Sequence, residues 1–281
     1  MNVFRPNFLI IGAMKSGTSS LWNFVRQHPE VFMPDQKEIE FFSRGEHWRR
    51  GVDWYARHFD DASPRHKAIG EASTGYTKYP LFKGVPARIA STLPDVRFIY
   101  LVREPVERMR SHWEHIVRNW GEKRPLDVAL LEDSRYLSLS RYATQLDQYL
   151  EHFDRDRFLV LTSEDLKEHP ASVSERVFRF IGVDPDWEVP NRAEEMMVTA
   201  ERRRDLRTGT LFKRNPRWRA LFIRVPEPPK KMYRRVAALW RPPPRPEVSP
   251  EVAAKIRDEL RDEVARLRPF MDDDFDGWGI A

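Results

Sequence analysis

The sequence predicts an α/β protein built on a parallel sheet, and three observations carry that prediction. Short continuous apolar runs recur at Asn7–Gly12, Arg97–Arg103 and Arg157–Thr162, each suited to a strand buried on both faces. Helical patterns alternate with these runs, as crossover connections in a parallel sheet require. The first run also ends in a glycine-containing turn that leads directly into a helix, an arrangement that gathers backbone N–H groups around an anion.

Taken in order, Asn7–Gly12 is the first strand and residues 13–17 form a loop. Thr18 or Ser19 caps a helix that carries Leu21, Trp22 and Val25 and stops at Pro29. Residues 30–60 read as irregular, with a helical piece near Gly51–Phe59, and Lys67–Glu71 is a short second strand. A helix over Pro86–Leu93 leads to the strand Arg97–Arg103, which is followed at once by a helix over Pro105–Trp120. Tyr136–Phe153 is expected as one helix, Arg157–Thr162 as a strand and Ser172–Ile181 as a helix. Nine prolines between Pro216 and Pro250 suggest helical pieces joined by stiff turns. Ser249 then caps an amphipathic helix over Pro250–Arg268, with Val252, Ile256, Leu260, Val264 and Leu267 on one face. The expected organisation is one domain over residues 1–281: an α/β core to residue 200, a basic Pro-rich segment over 201–248, and a closing helix and tail over 249–281.

Composition narrows the possible chemistry. The chain has 281 residues and no cysteine, which excludes disulfide frameworks, thiolate metal sites and a cysteine nucleophile. The formal charge of +5 conceals a segment of +12 over residues 201–245, which leaves −7 for the remainder. Such a block suits an anionic partner or a solvated helical face. No apolar run approaches the ~20 residues of a membrane span, and Phe8–Ala13 is too short for a signal-peptide core. The expected location is the cytoplasm.

Two motifs carry the chemistry. In Gly12-Ala-Met-Lys-Ser-Gly-Thr-Ser19, Gly17 lets the backbone approach an anion, Lys15 brings charge, and Ser16, Thr18 and Ser19 bring hydroxyls. A Walker A loop places its lysine after the second glycine, whereas Lys15 lies two residues before Gly17. The alternative is an ordinary strand-to-helix turn with a surface lysine. Arg103 ends the strongest strand at the edge where α/β proteins bind ligands, and Ser111 follows about 12 Å along the next helix.

Together, strand–G-x-x-K-S-G-T–helix and V-R-E-P-V-E-R-x-x-S-H-W resemble the PAPS-dependent sulfotransferases, in their bacterial, glycosaminoglycan-sulfotransferase-like branch. PAPS is 3′-phosphoadenosine 5′-phosphosulfate. The resemblance covers about residues 5–185 and extends to the closing helix and Phe275–Trp278. It implies a P-loop-like fold, PAPS as co-substrate and no metal. It also implies that Lys15, Ser16, Gly17, Thr18 and Ser19 bind the 5′-phosphosulfate, with Arg103 and Ser111 on the 3′-phosphate. Lys15 would stabilise the leaving PAP. His115 resembles a histidine of the heparan N-sulfotransferase branch and joins Lys15 and Glu38 as a catalytic candidate.

Lys37-Glu-Ile-Glu-Phe-Phe42 resembles the family's K-E-x-H-F-F segment, whose glutamate is the base, and so implies that role for Glu38. Glu40 stands where that pattern has histidine. In an extended segment both carboxylates would share a face, and each would raise the other's pKa. A histidine base at His28, His47 or His58 fits no matching motif. Gly70–Tyr76 resembles the family's substrate-side segment, which makes Ser73 and Tyr76, with Glu40, candidate substrate contacts; Ala72 replaces the lysine found there in heparan 3-O-sulfotransferases. Arg202, Arg203 and Arg204 are candidates for a basic loop closing over the 3′-phosphate. The expected acceptor is a hydroxyl or amine of a small molecule or saccharide, with no nucleic acid and no membrane span. The alternatives are a P-loop-type kinase, and a non-enzymatic anion- or nucleic-acid-binding protein that uses the basic block.

Overall fold

A computed structural model gives the architecture, and the structure describes residues 5–189 and 245–281. The basic block, apart from Arg245, lies outside the described residues, as do Arg202, Arg203 and Arg204. Among the described residues five strands form one sheet: β1 (Phe8–Gly12), β2 (Val31–Phe32), β3 (Ala68–Ala72), β4 (Arg97–Val102) and β5 (Phe158–Thr162). Their order is β2-β3-β1-β4-β5, and every pairing is parallel. All five residues of β1 and β3 are buried, as expected of strands covered on both faces.

The helices of the first half are α1 (Thr18–Val25), α2 (Gly45–Trp48), α3 (Val52–Ala56), α4 (Val85–Thr92) and α5 (Pro105–Trp120). Those following are α6 (Leu126–Glu132), α7 (Ser134–Ser138), α8 (Tyr142–Leu150), α9 (Ser163–Glu168), α10 (Pro170–Ile181), α11 (Pro250–Glu259) and α12 (Arg261–Leu267). Leu9, Ile11, Phe98, Tyr100 and Val160 pack against Val85 and Ile89 of α4 and Tyr142, Leu146 and Tyr149 of α8. Each such fully buried apolar side chain contributes about 1.5–3 kcal/mol. Strand alternation turns Phe8, Ile10 and Leu101 to the opposite face, where they are equally buried.

The helix expected over Tyr136–Phe153 is two helices, because the chain leaves the helical path before Tyr142, with Arg141 at φ −80°, ψ 72°. Arg108 of α5 explains the break. Its Nη2 donates to the Tyr136 carbonyl at 2.5 Å, an acceptor that a continuing helix would use internally, and its Nε donates to Ser140 Oγ at 2.7 Å. The closing helix is likewise broken, at Leu260 (φ −99°, ψ 3°). The break lets Ala253, Ile256 and Leu260 join a cluster with Val106, Met109, Leu126 and Leu130, while Leu267 enters the main core. Strand β2 and helices α2, α6 and α9 are additions to the expected elements. With only two residues, β2 exists through its pairing with β3 and has no periodicity to read.

Candidate active site

The carboxyl ends of all five strands lie along one edge of the sheet, and the connection from β1 leads toward β2 while that from β4 leads toward β5. The ends of β1 and β4 therefore flank the topological switch point, where open α/β sheets bind ligands. The loop 13–17 follows β1 and Arg103 follows β4, so two motifs separated by 88 residues meet there: Arg103 Nη1 donates to the Lys15 carbonyl at 3.3 Å. Gly17 caps α1 at φ 102°, a conformation that glycine adopts without a Cβ clash. Thr18 begins the helix, whose first N–H groups lack intrahelical acceptors. Ser16 is wholly buried, and its Oγ finds no partner among the described residues; neither does the buried Nε of Arg103. Ser19 is exposed and Ser111, on α5, is half-buried.

A second shelf is built by residues 37–43. Ile39, Phe41 and Phe42 are fully buried, with Phe41 stacked on Tyr55 at 4.5 Å. His47 contacts the Ile39 carbonyl through Nδ1 at 2.8 Å, and Arg88 donates to the Phe42 carbonyl at 2.9 Å. The segment is not extended: Glu38 and Glu40 both adopt left-handed φ, 60° and 56°. With Lys15 at 74° they are three of the four non-glycine residues with positive φ among those described. Each such conformation costs about 1–3 kcal/mol and persists only where neighbours impose it. Here the neighbours are explicit. The Glu38 amide donates to the Ala72 carbonyl at 3.0 Å, and the Glu40 amide to Ser73 Oγ at 2.9 Å.

The two carboxylates converge on the turn Thr74–Thr77 after β3. Glu38 Oε2 accepts from the amide and hydroxyl of Thr74, at 2.9 and 3.1 Å, and Glu40 Oε1 accepts from the Gly75 amide at 3.0 Å. A Cβ at Gly75 would stand 1.7 Å from Glu40 Oε2, so only glycine admits this packing. Lys37 joins the two halves of the site: its Nζ lies 2.8 Å from Glu38 Oε1 and 3.3 Å from Thr18 Oγ1.

The electrostatics differ from a mutual rise. Burial acts to raise the Glu38 pKa, but the Lys37 charge, a hydrogen bond from Glu40 and further bonds from Lys37 and the Thr74 amide outweigh it, so Glu38 sits below its usual range. Glu40 sits above, chiefly through burial and the hydrogen bond it shares with Glu38. Glu38 is thus the more acidic member of the pair and Glu40 the less acidic one. Glu38 is the accessible one as well: its side chain is 36 % exposed, against 5 % for residue Glu40.

Ser73 and Tyr76 are buried, and their hydroxyls turn inward to Glu71 at 2.6 and 2.5 Å. They stand behind the carboxylate pair and not on an open cleft wall, and the buried Glu40 is placed likewise. His115 is half-buried on α5. Partial burial, then the charges of Lys15, Arg118 and Lys78, push its pKa down to about 4, which leaves it neutral at pH 7. His28 and His58 are engaged elsewhere, on the Asp184 carbonyl and on the Trp54 and Tyr55 carbonyls. Lys37 as a bridge, Glu71 and the buried His112 escaped the sequence reading. Two of them carried a signal that could have marked them: Lys37 as the first residue of the K-E-x-E-F-F segment, and Glu71 within the Gly70–Tyr76 segment.

A sulfotransferase-domain family model matches residues 5–263. The chain belongs to the sulfotransferase family. A sulfotransferase from Alicyclobacillus acidocaldarius superposes with a TM-score of 0.70 at 26% identity, covering 99% of this chain and 100% of that one. The mouse bifunctional heparan sulfate N-deacetylase/N-sulfotransferase 4 is 28% identical over 203 residues, 65% of this chain and 23% of its own length. The Dictyostelium discoideum membrane-associated sulfotransferase kil1 is 37% identical over 117 residues, 41% of this chain and 24% of its own. The chain spans about a quarter of the length of these curated relatives. Among the described residues, no helix is long and apolar enough to cross a membrane.

Proposed function

We propose that the chain transfers the sulfuryl group of PAPS to a hydroxyl or amine of a small-molecule or saccharide acceptor, with Glu38 as general base. The observation that carries this reading is the Lys37 bridge, which sets Glu38 beside the anion-binding loop at hydrogen-bond range. PAPS would supply the sulfuryl group together with PAP as a stable leaving group. The residues present fit it: the unpartnered Ser16 Oγ and Arg103 Nε are buried donors that still need acceptors, and they flank the open end of α1.

In this reading the loop amides, Ser16, Gly17, Thr18 and Ser19 hold the 5′ end, and Arg103 with Ser111 holds the 3′-phosphate. Lys15 offsets negative charge as it develops on the leaving oxygen, the largest kind of catalytic term in a preorganised site. Glu38, ionised at neutral pH, accepts the acceptor's proton. His115, kept neutral, offers a ring nitrogen near Lys15 as a second proton acceptor or donor. Glu40, Ser73 and Tyr76 act on the substrate side by holding the base in place. We read residues 1–281 as one sulfotransferase domain, with the segment 201–248 as an accessory to it.

PAPS turnover against a panel of phenols, glycans, lipids and aminoglycosides, read as PAP release, tests the activity. Glu38→Gln is expected to lower kcat by about 10²–10⁴-fold, the range for a lost general base, while PAP binds as in the wild type. Turnover retained in that variant removes Glu38 from the role.

A further inference from the structure

The candidate base is held by a group that never reaches the surface. Glu71, near the end of β3, is 1 % exposed, so it cannot touch an acceptor. Its Oε1 accepts from Tyr76 Oη at 2.5 Å and from Tyr55 Oη at 3.3 Å, and its Oε2 accepts from Ser73 Oγ at 2.6 Å. A serine hydroxyl has one proton and two lone pairs. Spending that proton on Glu71 leaves Ser73 Oγ with only acceptor capacity, and the Glu40 amide fills it at 2.9 Å. The residues after Ser73 then grip the carboxylates: Thr74 holds Glu38 and Gly75 holds Glu40. Three carboxylates thus form a ladder from the sheet to the surface, with Ser73 as the rung that sets its polarity.

We propose that Glu71 is a positioning residue for Glu38: in its ionised form it orients the Ser73 hydroxyl, which fixes the Glu40 amide and with it the left-handed turn that presents the base. This rests on Glu38 being the base. Protonation of Glu71 frees the Ser73 hydroxyl to rotate, loosens the Glu40 amide and lowers turnover without touching the donor site.

The surroundings make that protonation accessible near neutrality. The groups that face Glu71 are Tyr55 from α3, Tyr149 from α8, Tyr76 from the adjacent turn, and Glu38 and Glu40 from the base segment. Among the described residues no lysine or arginine pairs with it. Burial pushes its carboxyl up to about 7; the Ser73 and Tyr76 hydroxyls pull the other way, and the charges of Glu40 and Glu38 add to the rise.

The test measures kcat and KM against pH for wild type, Glu71→Gln, Ser73→Ala and the double variant, with PAP affinity as the check on folding. The expected result is an inflection of kcat near pH 7 in the wild type that Glu71→Gln abolishes. Each single variant should lose about tenfold in kcat, equivalent to about 1.4 kcal/mol, at unchanged KM for PAPS. The double variant should be no worse than either single, because both break one ladder. Additive losses, or an inflection that survives in Glu71→Gln, overturn the proposal. An infrared pH titration of the PAP-bound protein reads Glu71 without turnover: a protonated-carboxyl C=O band that titrates near pH 7 should vanish in Glu71→Gln, and a band that persists also overturns it. Glu38→Gln distinguishes this from failure of the base assignment. If that variant turns over normally while the band still titrates and disappears in Glu71→Gln, the base assignment has failed and the titration of Glu71 stands.

Discussion

The two sides of the candidate site are built on opposite plans. The donor side, around Lys15, Ser16 and Arg103, leaves buried polar atoms unsatisfied and sets Lys15 beside Arg103, itself paired with Glu107 at 3.1 Å, at the ends of β1 and β4. The base side, around Glu38, Glu40 and Glu71, is negatively charged, and its carboxylates are hydrogen-bonded to protein groups before any ligand arrives. A site for a polyanion benefits from donors kept in reserve, since each unmet donor is satisfied by the ligand's oxygens. A base benefits from the reverse, because a carboxylate displaced by about 1 Å loses its alignment with the acceptor. In the proposed reaction the donor side binds by what it lacks, and the base side works by what it already has.

That contrast makes Gly75→Ala the most damaging change on the base side that leaves its carboxylates chemically intact. The added Cβ collides with Glu40, and displacement of the pair should lower kcat by about 100-fold while PAP affinity holds. Equal losses in both quantities would mean that the two sides are one structural unit. Arg103→Ala attacks the other side. Loss of charge-assisted hydrogen bonds worth about 1.5–3 kcal/mol should weaken PAP by roughly 10- to 100-fold, and Glu38's contribution to kcat should persist at saturating PAPS. A calorimetric titration with PAP checks it.

The base side should also impose a pH dependence on stability. The folded pKa of Glu71, about 7, lies above its ordinary 4.5, so its protonation favours the folded state. That contribution is complete below pH 4.5 and is lost as pH rises through 7, on the order of 2 kcal/mol between about pH 5 and 7. Melting temperatures should therefore fall over that interval in the wild type and much less in Glu71→Gln; parallel curves count against the buried, unpaired carboxyl. The smallest effect is expected at the bridge. Lys37→Met removes the charge that lowers the Glu38 pKa, so the acid limb of the kcat profile should move to higher pH. The lost hydrogen bonds should cost about two- to tenfold at neutral pH.

Much of this site was legible from residues alone, and the parts that were not share a physical character. The β1 loop was readable because strand, glycine and helix follow one another within a dozen residues, and Arg103 with Ser111 because they sit in a second short motif after β4; each motif is local, while their meeting at the sheet edge is tertiary. The break between α7 and α8 was not readable, since it comes from Arg108 reaching across from α5 to the Tyr136 carbonyl. Glu71 lies in a segment that the resemblance marks, but its burial could not be read, because nothing nearby in sequence announces that Tyr55 and Tyr149 will close over it. The expected sharing of a face by Glu38 and Glu40 failed on backbone conformation, yet the carboxylates met through the turn after β3.

From its residues the chain specified a parallel α/β sheet, its phosphate-type loop and the identity of the candidate base, because hydrophobic runs, glycine placement and short motifs act over a few residues. Packing alone settled which carboxylate is the more acidic, which hydroxyls face inward, and that Lys37 spans the two sides. Those properties depend on burial and on hydrogen bonds between β3, the base segment and α1, contacts that exist once distant segments have been brought to one edge of the sheet.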